Sequence, residues 1–133
     1  MHRLVCILKV ALLLLLVPLS LHAQGSQVPL ADPFVLLHND VYYAYGTHSD
    51  NGIEVYTSDN LEQWTLAGLA LHRKHTTQSR WFWAPEVYHE KETGEYLIHW
   101  GSTVKEDDYS HMSIYCSVTK DFETFSEPKM FFT

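Results

Sequence analysis

Ile53-Glu54-Val55-Tyr56-Thr57-Ser58-Asp59-Asn60-Leu61-Glu62-Gln63-Trp64-Thr65 returns in altered form as Ile114-Tyr115-Cys116-Ser117-Val118-Thr119-Lys120-Asp121-Phe122-Glu123-Thr124-Phe125-Ser126. Ile53 and Glu62 are matched by the same residue types, while Ser58 meets Thr119, Asn60 meets Asp121, Leu61 meets Phe122 and Trp64 meets Phe125. Each copy follows a strand-like block, one opening Ala31-Asp32-Pro33 and the other Ala84-Pro85-Glu86. A spacing of about 60 residues is the size of one four-stranded sheet with its connections, a unit that is stable only when stacked on others of its kind. The pattern therefore predicts an all-β chain of the β-propeller class. Two such units do not close a ring.

The intervening sequence fits this plan. Pro33–Leu37 and Val41–Gly46 alternate around the turn His38-Asn39-Asp40, and Ser49-Asp50-Asn51-Gly52 supplies a second turn in which Asn and Gly tolerate positive φ. Ile53–Thr57 and Trp64–Leu71 complete a four-stranded meander. The polar stretch His72–Arg80 connects it to a second one, predicted as Phe82–His89, Glu95–Trp100, Met112–Val118 and the start of a strand at Pro128–Phe132. The first blade is expected over about residues 30–71 and the second, incomplete, over about 81–133, as the N-terminal part of a larger propeller.

Residues 1–23 read as a signal peptide. Arg3 and Lys9 precede the apolar run Val10–Leu21, and Leu21-His22-Ala23 offers a cleavage site before Gln24. The uninterrupted run Val10–Val17 is far shorter than the ~20 residues of a spanning helix, so no stable membrane insertion is expected after cleavage. The destination is expected to be secreted or periplasmic. Removal leaves Cys116 as the sole cysteine, which excludes an intramolecular disulfide, and its strand setting suggests an apolar thiol rather than a nucleophile. Two of the 9 basic residues leave with the leader, so seven stand against 16 acidic ones, a net charge of −9. That balance argues against nucleic acid or an anionic membrane as partner. Four Trp and eight Tyr in an acidic exported chain lean instead towards sugars, whose C–H faces stack on rings. Most of these aromatics are nonetheless expected as strand formers and core fillers.

Four motifs in order carry a resemblance: Ala31-Asp32-Pro33-Phe34-Val35, then Tyr42-Tyr43-Ala44-Tyr45-Gly46-Thr47, then Ser58–Trp64, then Trp83-Ala84-Pro85-Glu86-Val87. Together, over nearly all of Gln24–Thr133, they resemble the N-terminal blades of glycoside hydrolase family 43. The resemblance implies a five-bladed β-propeller that hydrolyses arabinofuranosyl, xylosyl or galactosyl linkages of plant oligosaccharides or polysaccharides with inversion. It also implies that Asp32 is the general base. In that family a pKa-tuning Asp belongs to the third blade and the general acid, a Glu, to the fourth. An inverting glycosidase needs a base and an acid ~6.5–9.5 Å apart on opposite faces of the sugar, a separation that carboxylates from different blades can provide. A chain of two blades is thus expected to be inactive alone.

Antiparallel neighbours bring the start of an inner strand to the same end as the turn between the second and third strands. Asp32, Thr47–Asn51, His72–Arg80, Trp81–Glu86 and Ser102–His111 should therefore share one end of the blades. Trp83 and Trp81 are the candidates for stacking on a sugar, and His48 and Glu86 for hydrogen bonds to its hydroxyls. Each has a plainer reading: Asp before Pro opens turns, Trp83 can pack between blades, and Glu86 can satisfy a backbone donor. No cofactor is expected, and the scattered histidines do not form a four-ligand zinc pattern, although a structural cation on the axis of a complete propeller is compatible with the resemblance. Two alternatives stand beside the glycosidase. One is a non-catalytic carbohydrate-binding propeller module. The other, a sialidase suggested by the Asp-box-like Ser58–Trp64, lacks the required arginine cluster in a chain with only Arg73 and Arg80 beyond the leader.

Overall fold

The computed structural model describes residues 27–76, 80–103 and 111–132; the expected signal peptide lies outside the described residues, as does most of the loop after Ser102. Eight strands form two four-stranded antiparallel sheets in simple meander order. The first sheet contains β1 (Ala31–His38), β2 (Val41–Thr47), β3 (Gly52–Ser58) and β4 (Thr65–His72). The second contains β5 (Arg80–Glu90), β6 (Glu95–Thr103), β7 (Ser113–Thr119) and β8 (Lys129–Phe132). A 3-10 turn, Arg73–His75, lies in the connection between the sheets.

Local chemistry explains the corners. Asn39 and Asp40 both take positive φ, 49° and 61°, in the two-residue β1–β2 loop, the backbone of a type I′ turn whose twist matches the flanking strands. The β5–β6 hairpin closes through Gly94, whose φ of 70° a glycine adopts freely and whose N–H donates to the Glu90 carbonyl at 2.8 Å. Boundaries differ from the sequence reading at several strand ends: β1 begins at Ala31 rather than Pro33, and β5 at Arg80 rather than Phe82, so that Arg80 belongs to a strand and not to the connection. Trp64 belongs to the turn before β4, where its indole N–H donates to the Leu61 carbonyl at 3.2 Å, and β6 runs on to Thr103 because Ser113 still pairs with Ser102.

The repeated segment is repeated in geometry. Ser58 Oγ accepts the N–H groups of Asn60 and Leu61, and Asn60 Oδ1 accepts those of Glu62 and Gln63. Thr119 Oγ1 and Asp121 Oδ1 do the same for Asp121, Phe122, Glu123 and Thr124. Leu61 and Phe122 both sit at positive φ, 64° and 57°. A hydroxyl followed two residues later by an Asn or Asp oxygen is what these backbone donors require, and both copies of the repeat supply it.

The two sheets pack face to face. In β6 burial alternates, so that Tyr96, Ile98, Trp100 and Ser102 point inward while Leu97, His99 and Gly101 lie on the other face. Tyr45, Ile53 and Leu71 of the first sheet meet Phe82, Val87, Ile98 and Trp100 of the second in one cluster. Cys116 is half-buried rather than fully enclosed, and burial raises its thiol pKa, the direction opposite to that of an activated nucleophile.

Candidate functional site

Both inner strands carry the same irregularity, which in β5 follows a further register shift between Arg80 and Trp83, around Trp81 at φ 57°. Between Ala31 and Phe34 the register shifts against Thr47 and Tyr45, and between Trp83 and Glu86 it shifts against Gly101 and His99; in each case three steps oppose two. The extra residues are Asp32 at φ 48° and Ala84 at φ 43°, each followed by a proline. A bulge needs a residue that leaves the ladder, and Pro33 and Pro85 have no N–H to leave unpaired there. Asp32 is therefore lifted out of the sheet and is exposed at the strand's entrance.

The two bulges touch through Thr47. Its backbone pairs with Ala31, its hydroxyl donates to the Phe82 carbonyl at 3.3 Å, and it accepts the Ala84 N–H at 3.0 Å. Asn51 and Arg73 meet at the same end, the Arg73 N–H donating to the Asn51 carbonyl at 2.8 Å, and Arg80 pairs with Thr103. Asp32, the β2–β3 turn, the described part of the sheet connection and Trp81–Glu86 gather at one end as expected, while most of Ser102–His111 lies outside the described residues.

Within that end the candidates part company. Trp83 and Glu86 line an open groove of about 450 Å3 on the outward face of the second sheet, together with Tyr88, His99, Met112 and Phe131. Trp81 is only 9% exposed and leans on Trp83 with ring centroids 5.6 Å apart, so it backs the more accessible indole. His48 is exposed and outside the groove lining, and its Nδ1 lies 2.8 Å from Glu54 Oε2. Asp32 is not part of the groove lining; it stands at the neighbouring bulge.

Tyr88 and His99 escaped the sequence reading. Tyr88 follows Glu86 by two, which on a strand means the same face, and Glu86 pairs directly with His99 across the ladder. The Tyr88 hydroxyl donates to Glu86 Oε2, and that hydrogen bond, followed by desolvation and the carboxylate charge, raises the Tyr88 pKa. Its ring also tilts against Phe34 of the first sheet at 5.5 Å and lies edge-on to His99 at 5.9 Å. The strand register was the missing signal. The groove has a carboxylate, a phenol, an imidazole and aromatic walls, groups that hydrogen-bond hydroxyls and stack on apolar ring faces. Among the described residues no three His, Cys, Asp or Glu side chains gather to hold a metal ion, and no helix is long and apolar enough to cross a membrane.

Comparison with known proteins bears on this arrangement. Residues 25–133 match the profile of a family-43-related glycosyl hydrolase family, described as "Probable glycosyl hydrolase domain". A thermostable family-43 glycoside hydrolase of known crystal structure is 29% identical, covers 81% of this chain and 34% of its own, and superposes with a TM-score of 0.64. An endo-1,4-beta-xylanase from Bacteroides thetaiotaomicron is 30% identical over 73% of this chain and 32% of its own, with a TM-score of 0.58. An exo-beta-1,3-galactanase from Clostridium thermocellum, at 22% identity, 80% and 24% coverage and a TM-score of 0.66, supports the fold alone. No curated protein sequence matches the chain significantly. The chain spans about a third of the length of the first two of these solved structures.

Proposed function

We propose, from the premise that this chain belongs to the family-43-related glycosyl hydrolases, that it forms the base-bearing blades of an exported glycosidase acting on arabinofuranosyl, xylosyl or galactosyl linkages with inversion. The observation that carries this reading is the first bulge: Asp32, lifted out of the ladder at φ 48°, is exposed beside the Trp83 bulge. A carboxylate so placed can accept a proton from water while an indole carries the sugar face. Trp83 is assigned to stacking and Glu86 to a sugar hydroxyl, with Trp81 supporting Trp83 and His48 at the rim. The general acid belongs to a further sheet of the same propeller, since an inverting pair needs a second carboxyl group ~6.5–9.5 Å away. The two sheets alone are therefore inactive in this reading, and the leader at residues 1–23 sends the chain out of the cytoplasm.

A second reading, carbohydrate binding without turnover, is favoured by one observation: the position equivalent to Asp32 in the second sheet holds Ala84. Of these two positive-φ bulge residues, only Asp32 carries a carboxylate.

The test pairs binding with turnover. The full-length protein and its Asp32→Asn variant are compared on aryl glycosides of the three sugars, with the anomer of the product read by NMR, and on the matching oligosaccharides by quenching of Trp emission. Loss of turnover with binding retained, and inverted product from the parent, supports the proposal. Unchanged turnover in Asp32→Asn removes the base assignment, and binding without turnover in the parent full-length protein moves the chain to the second reading.

A further inference from the structure

We infer that Thr47 is a positioning residue that fixes the Asp32 bulge against the Trp83 bulge. The inference deepens the glycosidase reading and rests on it for its consequence in sugar binding. One ladder pairing and two hydrogen bonds of a single residue carry it. The backbone of Thr47 pairs with Ala31, the residue before Asp32; its hydroxyl donates to the carbonyl of Phe82, the residue before Trp83; and the same oxygen accepts the N–H of Ala84, the residue after Trp83. Trp83 is thus straddled by two bonds to a single side chain of the other sheet.

The need for such a clamp follows from the backbone. Asp32, Trp81 and Ala84 all occupy positive φ, which costs a residue with a Cβ about 1 kcal/mol or more and persists only where surroundings hold it. Ala84 falls between the paired residues Trp83 and Glu86, outside the β5–β6 register, and Pro85 after it brings no N–H of its own. Thr47 supplies the acceptor. A threonine hydroxyl can donate and accept at once, which a valine of the same shape cannot do and a serine can. Without the hydroxyl, the bulge that aims Trp83 is free to relax independently of the one that presents Asp32, and a subsite that depends on their spacing loosens.

The test uses the full chain with Thr47→Val and Thr47→Ser. Amide exchange at Ala84 is followed by NMR, affinity for xylotriose and arabinotriose by Trp emission, and thermal midpoint by circular dichroism. In Thr47→Val the Ala84 amide is expected to exchange about tenfold faster and sugar affinity to fall about tenfold, the scale of one lost hydrogen bond, with both restored in Thr47→Ser. Wild-type exchange at Ala84 in the valine variant overturns the inference. So does a fall in the thermal midpoint with sugar affinity unchanged, because a purely structural bond would behave that way. If the parent chain binds neither sugar, the glycosidase reading fails on that count while the clamp is still judged by Ala84 exchange.

Discussion

Tyr45 in β2 stacks on Phe122, which follows β7, with ring centroids 6.0 Å apart and planes 19° from parallel. Phe122 also tilts against Tyr96 at 4.7 Å, so one ring joins the middle strands of both sheets. Its direction is set by the turn that Thr119 and Asp121 hold, which places Phe122 at φ 57°. The repeated motif therefore does more than close a corner. In the second sheet it aims an aromatic side chain across the interface.

Phe122→Ala should cost about 3 kcal/mol, the low end for removing a packed phenylalanine, because the ring is only partly buried. Leu61, its counterpart in the first sheet, is 50% exposed, and Leu61→Ala should change stability by no more than about 0.5 kcal/mol. Urea unfolding of the two variants side by side tests the contrast. Equal losses would mean that the turn, not the ring, carries the contribution.

Asp121 makes one turn sensitive to acid. Its carboxylate accepts the backbone N–H groups of Thr124 and Glu123 at 2.8 and 2.9 Å, and these bonds, Thr124 first, hold its pKa below the ordinary 3.8. A depressed folded value means that its contribution is present above pH 3.8 and lost as pH falls through the folded pKa. Asn60 holds the equivalent place in the first sheet and does not titrate. Thermal midpoints of Asp121→Asn should consequently fall less steeply than the parent's below about pH 4. Parallel curves would remove Asp121 from the acid response.

The strands and turns were legible because their chemistry is local. The residues Asn39-Asp40 and Asn51-Gly52 announce corners, and the Ser58 and Thr119 hydroxyls with the Asn60 and Asp121 oxygens announce the repeat. What the sequence did not convey depends on register. The equivalence of Asp32 with Ala84 follows from two bulges, and it sets the inner strands on a different spacing from the repeated turns. The partnership of Glu86 with Tyr88 and His99 likewise becomes visible only when β5 is laid against β6. Trp81 and Trp83 look interchangeable in sequence, yet backbone twist at the bulge buries one and leaves the other accessible.

Gly52 and Gly68 separate strain from contact. Both lie at strongly positive φ, 142° and 130°, but a Cβ on Gly52 would sit 1.9 Å from the Leu71 carbonyl oxygen while one on Gly68 meets nothing within 4 Å. Gly68→Ala should cost about 1–2 kcal/mol from conformation alone, and Gly52→Ala about 3 kcal/mol or more because β3 and β4 must also part. Chemical denaturation measures both. A Gly52 variant no worse than the Gly68 variant would show that the β4 edge yields without resistance.

Tyr88 offers a spectroscopic handle on the groove. Its hydroxyl donates to Glu86, and losing that proton would set a phenolate beside a carboxylate, so its pKa lies above the ordinary 10.0. The raised value implies that the bond's contribution is complete below pH 10.0 and disappears as pH rises through the folded pKa. Subtracting the 295 nm absorbance titration of Tyr88→Phe from that of the parent isolates one phenol, which should ionise above pH 10.0. In a Glu86→Gln background the same difference should move down towards 10.0, because the anionic acceptor is gone. Thermal stability at neutral pH should be nearly unchanged in both variants, since the bond lies at the surface. A phenol that titrates alike with Glu86 present or replaced would mean that the carboxylate is not held by Tyr88 in solution.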